Sequence, residues 1–209
     1  CINMFMDTTA LYDLTINHTI NTLLAKQLLP IAKTLLADPN KITNMWGYKN
    51  TYTQNEGASH NPQLEFFTKF ILEKSYFYLQ DKNIKLQDNV KLWVSLFASE
   101  IIKGDEHTAH NHPGALLSGL IYLQVPTNSS KLEFFNPRCA NKAWRGFVDK
   151  KSYIADNGFY KINEDFTASI QPTPGLFLFW ESWANHRVPI NEVDGKRITF
   201  VFNVGAEYV

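Results

Sequence analysis

Three histidines lie close together in the stretch GDEHTAHNHPG, residues 104–114. His110 and His112 are separated by one residue, so on an extended strand both side chains project from the same face. Two imidazoles on one face can bind a common metal ion, because neutral histidine is a frequent metal ligand. A pair of this kind also occurs on surface strands that bind nothing. His107 stands at an odd offset from His110, and we expect it on the opposite face of the strand.

A second group of chemically capable residues lies near the C-terminal end. His186 is followed by a turn signal at 194–195 (Asp-Gly) and then by Arg197, which opens a strongly alternating run. If the turn joins a hairpin, Arg197 lies opposite Glu192. In the same register His186 lies opposite Asn203, and His186, Arg197 and Asn203 face one side of the sheet. The sequence therefore predicts a metal ligand and a fixed cation in one cavity, with Asn203 either in that site or bonded to backbone.

The elements that must position these residues change character along the chain. The first third is predicted to be helical, with apolar residues at helical spacing from Ile20 to Leu36, although Pro30 should kink or split this helix. A second helix is expected to begin at 61–62 (Asn-Pro) and to continue through LEFFTKFILEKSYFYLQ. Both helices are interpreted as structural supports.

From residue 90 onward the apolar pattern has a period of two, which is typical of strands. VKLWVSLFASEII is followed by LLSGLIYLQV, KLEFF, GLFLFW and RITFVFNV, separated by Gly, Pro, Asn and Asp. Helices first and strands afterwards predict an α+β fold that is mainly β, either a barrel or a sandwich supported by N-terminal helices. The segment 139–165 is the expected long excursion between strands.

The bulk properties exclude several classes of function. Lys+Arg and Asp+Glu both count 20, so no net field attracts nucleic acid or an anionic membrane. The longest apolar runs are much shorter than the roughly 20 residues that span a bilayer. The 2 cysteines form no disulfide framework, which favours a reducing compartment. We therefore expect a single cytoplasmic domain over 1–209 with neither a membrane nor a clear nucleic-acid partner.

Taken together, these motifs resemble the 2-oxoglutarate- and Fe(II)-dependent oxygenases. That superfamily has a double-stranded β-helix, or jelly-roll, with His-x-Asp/Glu on one strand, then a distal His, then an Arg or Lys. More narrowly, the segments HNHPGALLSGLIYLQVP, FFNPR, PGLFLFWESWANHRVPIN and RITFVFN are similar to a branch related to prolyl hydroxylases and found in bacteria and phages. The resemblance implies a jelly-roll core over about 90–204 and helical support over about 1–85.

The resemblance also implies roles for individual residues. His110 and His186 match iron ligands, and Arg197 matches the residue that binds the distal carboxylate of 2-oxoglutarate. Tyr122 falls where prolyl-hydroxylase relatives have a tyrosine that bonds the same carboxylate. Arg138 matches a recurring motif residue of the narrower branch, with no role assigned.

The chain departs from the superfamily at His112, where Asp or Glu is expected. Either His112 coordinates iron, or a nearby carboxylate of Asp105 or Glu106 replaces it. We favour His112, because positions two apart share a strand face, whereas Glu106 lies four residues back across an expected loop. Three neutral imidazoles would leave the metal one positive charge richer than the usual two His and a carboxylate. Trp180 and Trp183 are expected to pack beside His186 and keep the site dry.

The implied function is a dioxygenase that uses Fe(II), 2-oxoglutarate and O2. It would couple oxidative decarboxylation of 2-oxoglutarate to hydroxylation of a substrate that the sequence does not identify, either a peptidyl residue or a small metabolite. Two alternatives stand beside it. One is a cupin-like three-His metalloenzyme that does not use 2-oxoglutarate, and the other is a non-enzymatic jelly-roll binding module.

Overall fold

The computed structural model describes residues 2–5, 15–52, 61–135, 160–162 and 167–209. Arg138 and most of the predicted excursion over 139–165 lie outside these residues. Within the described ranges, every helix is too short or too polar to cross a membrane.

The strands form two antiparallel sheets. The larger sheet contains, in spatial order, β1 (Ile2–Phe5), β2 (Thr15–Ile20), β10 (Leu176–Glu181), β6 (Leu117–Gln124), β12 (Arg197–Tyr208), β4 (Val90–Ile101) and β3 (Lys49–Asn50). The smaller sheet contains β5 (His107–His110), β11 (His186–Val188), β7 (Leu132–Phe135), β9 (Thr167–Ile170) and β8 (Tyr160–Ile162). The predicted fold class, mainly β with two helices, is confirmed.

Two helices precede most of the strands. Helix α1 (Thr22–Ala37) begins at Asn21, whose side chain accepts a hydrogen bond from the backbone N–H of Leu24 at 2.9 Å. The helix is not split at Pro30, which lies on its exposed side while its neighbours pack against the sheet. Helix α2 (Glu65–Asp81) follows a single 3₁₀ turn at Pro62–Leu64, close to the predicted start.

The larger sheet buries both of its faces. Alternation along β12 shows this directly: Ile198, Phe200 and Phe202 pack with residues of α1 and α2 in one apolar cluster. The intervening side chains of β12 point toward the smaller sheet, where a second apolar cluster includes Leu178 and Phe134. The period of two thus separates a face that supports the helices from a face that lines the interior between the sheets.

The N-terminal part is not purely helical. Strands β1 and β2 lie in it, and β2 pairs with β10, with Leu176 opposite Ile20. Ile20, predicted to start the first helix, is therefore the last residue of a strand. Local apolar spacing could not predict this pairing, because the partner strand lies far along the chain.

The predicted hairpin around 194–195 is wrong. Strand β11 belongs to the smaller sheet and β12 to the larger, so the segment between them crosses from one sheet to the other. His186 lies opposite His110 and Phe134, and Arg197 lies opposite Ile101. β11 ends immediately before a proline, which cannot donate to a strand ladder.

Candidate active site

Three imidazoles converge where β5 and β11 pair. His110 is the last residue of β5, and the pairing of the smaller sheet places His186 opposite it. His112 lies beyond the end of β5, in a turn held by a 3.0 Å hydrogen bond from its backbone N–H to the carbonyl of Ser182. The ligand atoms of the three histidines lie within 4.8 Å of one another. The rings therefore meet as predicted, although a turn rather than a shared strand face brings in His112.

Backbone hydrogen bonds fix the tautomers of two of these rings. Nδ1 of His110 lies 2.7 Å from the carbonyl oxygen of Thr108, and Nδ1 of His186 lies 2.8 Å from that of Ala184. A carbonyl oxygen only accepts, so each Nδ1 carries the proton and each Nε2 keeps a free electron pair. The two Nε2 atoms are thus in the form that coordinates a metal.

The spacing of the nitrogen atoms also fits a metal ion. Nε2 of His112 lies 3.3 Å from Nε2 of His186, and two ligands bound at about 2.1 Å in adjacent positions are about 3 Å apart. Nε2 of His110 is buried and has no hydrogen-bond partner among the described residues. A cation bound between the imidazoles would satisfy this buried acceptor together with Nε2 of His186.

The four histidines of this region, His107, His110, His112 and His186, are neutral at pH 7. Burial, and to a smaller extent the charge of neighbouring imidazoles, lowers the pKa of His107 to about 3 and that of His112 to about 4. Burial is also the main cause that lowers the pKa of His110 and of His186. Metal coordination requires the unprotonated ring, so these directions favour binding.

His107 lies on the same side as the cluster, and the prediction that it faces away is wrong. Its ring stacks on that of His110 with centroids 3.9 Å apart. The register shifts by one residue, since His186 pairs with His110 but Val188 pairs with His107. Such a bulge reverses the face of the residues beyond it.

Neither alternative carboxylate joins the imidazoles. Oδ2 of Asp105 accepts a hydrogen bond of 2.9 Å from the backbone N–H of Ile102, which ties it into a turn. Glu106 is exposed to solvent. The described residues place His112, and not Asp105 or Glu106, with the other two histidines.

A small buried space, here called the inner cavity, lies between the two sheets. It has a volume of about 40 Å³ and is lined by the three imidazoles, by Tyr48 immediately before β3, and by side chains of the larger sheet, among them Tyr122 and Arg197. None of its described lining residues is an aspartate or a glutamate. The inner cavity therefore contains both the candidate metal ligands and the guanidinium of Arg197, as the sequence predicts.

Arg197 is buried without a carboxylate partner in the described part of the chain. It is 3% exposed, its Nη1 donates to the carbonyl of Ser130 at 2.8 Å, and its Nε has no partner there. Burial lowers the pKa of Arg197, but an arginine remains charged. A buried charge without an opposite charge is costly, so this position is suited to an anionic ligand.

Two phenols flank this cation. Tyr122 lies with its ring centroid 6.0 Å from the guanidinium carbon of Arg197, and its buried hydroxyl has no partner among the described residues. Tyr48 lines the same cavity and is 3% exposed. Sequence reasoning found Tyr122 and missed Tyr48, which lies in the part interpreted as helical support and has no motif around it.

A wider groove, here called the outer groove, lies on the other side of His110 and His112. Its volume is about 390 Å³, and its walls include Trp46, Trp93 and Asn203. Asn203 lines this groove and not the inner cavity, and its Oδ1 accepts from the hydroxyl of Ser118 at 2.8 Å. Arg197 and Asn203 share one face of β12 as predicted, but Arg197 lines the inner cavity and Asn203 lines the outer groove.

The two tryptophans near His186 differ. Trp180 is 2% exposed and its ring centroid lies 5.0 Å from that of His186, so it shields the imidazole from water as expected. Trp183 is 44% exposed and donates to the Glu181 carboxylate, so the same expectation is wrong for Trp183.

Comparisons with known proteins agree with this fold. A prolyl-4-hydroxylase from Pseudomonas putida has a similar structure, with a TM-score of 0.61, 10% identity and coverage of 90% of this chain and 91% of that one. The non-heme alpha-ketoglutarate-dependent epimerase SnoN of nogalamycin biosynthesis gives a TM-score of 0.61 at 12% identity, covering 92% and 78%. HygX from Streptomyces hygroscopicus, solved with nickel and 2-oxoglutarate bound, has a TM-score of 0.55 at 13% identity. The likeness covers 95% of this chain and 84% of HygX. These likenesses confirm the jelly-roll fold.

No curated protein matches the sequence. A family described as "Putative 2OG-Fe(II) oxygenase" matches residues 91–203, which is more than half of the 209 residues and spans the histidines and Arg197. The chain therefore belongs to this family of oxygenases, whose cofactors are Fe(II) and 2-oxoglutarate.

Proposed function

We propose that the protein is a dioxygenase that couples oxidative decarboxylation of 2-oxoglutarate to hydroxylation of a second substrate. His110, His112 and His186 would hold Fe(II), and Arg197 would bind the distal carboxylate of 2-oxoglutarate. One observation carries the proposal: a buried arginine without a carboxylate partner in the described residues lines the same cavity as three neutral imidazoles.

The imidazoles position the metal. Three protein ligands would leave the metal able to bind 2-oxoglutarate and O2 as well. When bound, iron supplies the redox chemistry by which O2 oxidises 2-oxoglutarate and the substrate. Because all three protein ligands are neutral, the full charge of the metal remains available to attract a dianion.

Arg197 and the phenols select the co-substrate. The guanidinium can form charge-assisted, directional hydrogen bonds to a carboxylate, and its Nε, which has no partner among the described residues, is available for one of them. The hydroxyl of Tyr122 can donate a further bond, and Tyr48 lies on the same wall. Since the ligand carries charge at both ends, the metal and Arg197 define its length and orientation.

The inner cavity must widen to admit this ligand. Its volume of about 40 Å³ is far below the roughly 300–1,000 Å³ of typical small-molecule sites. The hydrogen bonds from Arg197 to the carbonyl and hydroxyl of Ser130, 2.8 and 3.4 Å, are the contacts that a carboxylate would replace or share. Movement of the 129–130 loop with Arg197 is therefore expected on binding.

The test is spectroscopic and catalytic. Under anaerobic conditions, Fe(II) with 2-oxoglutarate should give a weak visible charge-transfer band, and addition of O2 should release CO2 from 2-oxoglutarate. His186→Ala should abolish both signals. His18→Ala is the matched control, because His18 lines a different groove, against α2. A wild-type protein that binds Fe(II) stoichiometrically but gives neither band nor CO2 would contradict the proposal.

Among the described residues no carboxylate joins the imidazole cluster, and this favours one alternative, a three-His metalloenzyme that does not use 2-oxoglutarate. The same experiment separates the two functions. The alternative predicts stoichiometric iron with no spectral response to 2-oxoglutarate, whereas a non-enzymatic module predicts no stoichiometric iron at all.

A further inference from the structure

We infer, building on the proposed function, that the outer groove is the site of the hydroxylated substrate and that it takes an uncharged carbohydrate ring stacked on Trp46. The groove shares His107, His110 and His112 with the inner cavity, whereas Arg197 lines only the cavity. A ligand in the groove would thus approach the metal from a side that the 2-oxoglutarate anchor does not occupy.

Trp46 provides a fixed aromatic surface at this groove. Its side chain is 40% exposed, and its ring centroid lies 4.9 Å from that of Tyr52 and 5.9 Å from that of His107. The backbone of Trp46 has φ 69°, a left-handed conformation that is strained for a residue with a large side chain. Strain of this kind concentrates at functional sites. Here it holds a large ring at the groove instead of in the core.

A second aromatic surface is built by close packing. Trp93 lines the groove from β4, and Gly205 lies opposite it on β12. A Cβ atom at Gly205 would overlap the indole of Trp93. The glycine therefore lets this ring lie against the sheet, and Phe97 adds a third ring to the same groove. Flat aromatic surfaces bind the C–H face of a sugar ring.

Among the described lining residues, the polar side chains of the groove are uncharged at neutral pH. Besides the histidines and Tyr52, its described lining offers four neutral hydrogen-bonding groups, which are Ser95, Thr108, Asn111 and Asn203. None of the described lining residues is Asp, Glu, Lys or Arg. A charged substrate group stacked on Trp46 would thus lose its hydration without gaining a counter-charge from these described side chains.

This combination matches a neutral sugar ring better than other uncharged rings. A sugar has a C–H face for the indoles and hydroxyls at its edge for the amides and hydroxyls of the groove. A prolyl or purely aliphatic ring would use the aromatic surface but would leave the neutral hydrogen-bonding groups without partners.

Fluorine NMR of the protein labelled with 5-fluorotryptophan tests the inference directly. The chain has 5 tryptophans, so single substitutions assign each resonance. The diamagnetic Zn(II) and 2-oxoglutarate complex is titrated with the methyl glycosides of glucose, galactose, mannose and xylose. At least one glycoside should shift the Trp46 and Trp93 resonances with a Kd on the order of millimolar, and it should leave Trp183 unchanged.

Charged and non-sugar probes provide the comparison. Glucuronate, glucosamine and N-acetylprolinamide should bind at least about tenfold more weakly than that glycoside. If no neutral glycoside shifts Trp46, or if a charged analogue or N-acetylprolinamide binds as tightly, the inference is overturned.

Substitution of Trp46 provides the second arm. Trp46→Gly removes the ring and suits the left-handed backbone, so the fold should be retained. The shift of Trp93 should then need at least tenfold more glycoside. Trp183→Ala is the matched control, because Trp183 is exposed to a similar extent, 44%, but does not line the groove.

The two proposals fail separately. Absence of the Fe(II) and 2-oxoglutarate band in wild type would refute the proposed function without affecting glycoside binding at Trp46. Absence of glycoside binding in a protein that shows the band would refute only the inference about the groove.

Discussion

The inner cavity and the outer groove share His107, His110 and His112 but differ in almost every other property. The cavity is small and lies between the sheets. It is lined by the buried guanidinium of Arg197 and by the phenols of Tyr48 and Tyr122. The groove is about 390 Å³, lined by aromatic rings and neutral polar groups. The difference indicates two modes of selection around one metal position. A small anion would be selected by charge, and a larger neutral ligand by stacking and shape.

Removing a candidate metal ligand should have the largest effect. His186→Ala takes away one of three candidate ligands, so Fe(II) affinity should fall by more than about 100-fold. This exceeds the loss that is typical when a residue hydrogen-bonded to a metal ligand is mutated. Binding at Trp46 should persist, because His186 does not line the outer groove. Isothermal titration with Fe(II) under nitrogen measures the first effect. Unchanged iron affinity would mean that the histidines do not form a metal site.

Arg197→Ala should affect only the cavity side. Loss of one partner from a buried charge pair costs about 2–5 kcal/mol, so the KM for 2-oxoglutarate should rise by a factor between about 30 and several thousand. Arg197→Lys should recover part of this loss, since the charge remains but the bidentate fork does not. The KM for 2-oxoglutarate is measured beside the Fe(II) affinity, which should not change. A parallel loss of iron would instead indicate a structural role for Arg197.

The neutral histidines predict how the metal-free protein responds to acid. In the unfolded chain each imidazole takes up a proton near pH 6.5, whereas His112 in the folded protein does so near pH 4 and His107 near pH 3. Between these values the unfolded state binds more protons, so stability is full above about pH 6.5 and decreases as the pH falls.

Thermal melts of the metal-free protein from pH 7 to pH 4 measure this dependence. His112→Phe removes one such group and should flatten the curve. An equally steep curve for that variant would show that carboxylates, and not these imidazoles, cause the acid sensitivity.

Tyr122→Phe should give the smallest effect. One hydrogen bond contributes about 0.5–1.5 kcal/mol, so the KM for 2-oxoglutarate should rise between about twofold and tenfold. Stability should not fall, because the hydroxyl is buried without a partner among the described residues. Tyr52→Phe is the matched control on the groove side and should leave this KM unchanged. An equal rise in the KM for 2-oxoglutarate in both variants would mean that the inner cavity is not the separate binding site of 2-oxoglutarate.

The sequence predicted the candidate ligands because their chemistry is rare and their order along the chain is informative. The alternation along β12 also correctly placed Arg197 and Asn203 on one face, since a period of two is a local property of a strand. The turn at 194–195 misled the prediction for the opposite reason. Turn residues show that the chain reverses, but they do not show which sheet the next strand joins.

The residues that were missed depend on distant packing. Tyr48 and Trp46 reach the site from a segment without repeated pattern, next to the two-residue strand β3. His107 was assigned to the wrong face because a one-residue bulge is not visible in the spacing of histidines. The direction of the His107 side chain is set by pairing between two strands that are far apart in sequence. Trp46 and Tyr48 lie in the short turn before β3, where the left-handed backbone at Trp46 has no sequence signature.

The crossing between β11 and β12 has a mechanical consequence. All three imidazoles belong to the smaller sheet or to the turn beside it, while Arg197 extends from the larger sheet. Iron would therefore be held by one half of the sandwich, whereas a bound diacid would tie the two halves together. Loosening of the sandwich should release the diacid before the iron, and the bound diacid should in turn clamp the sheets against separation.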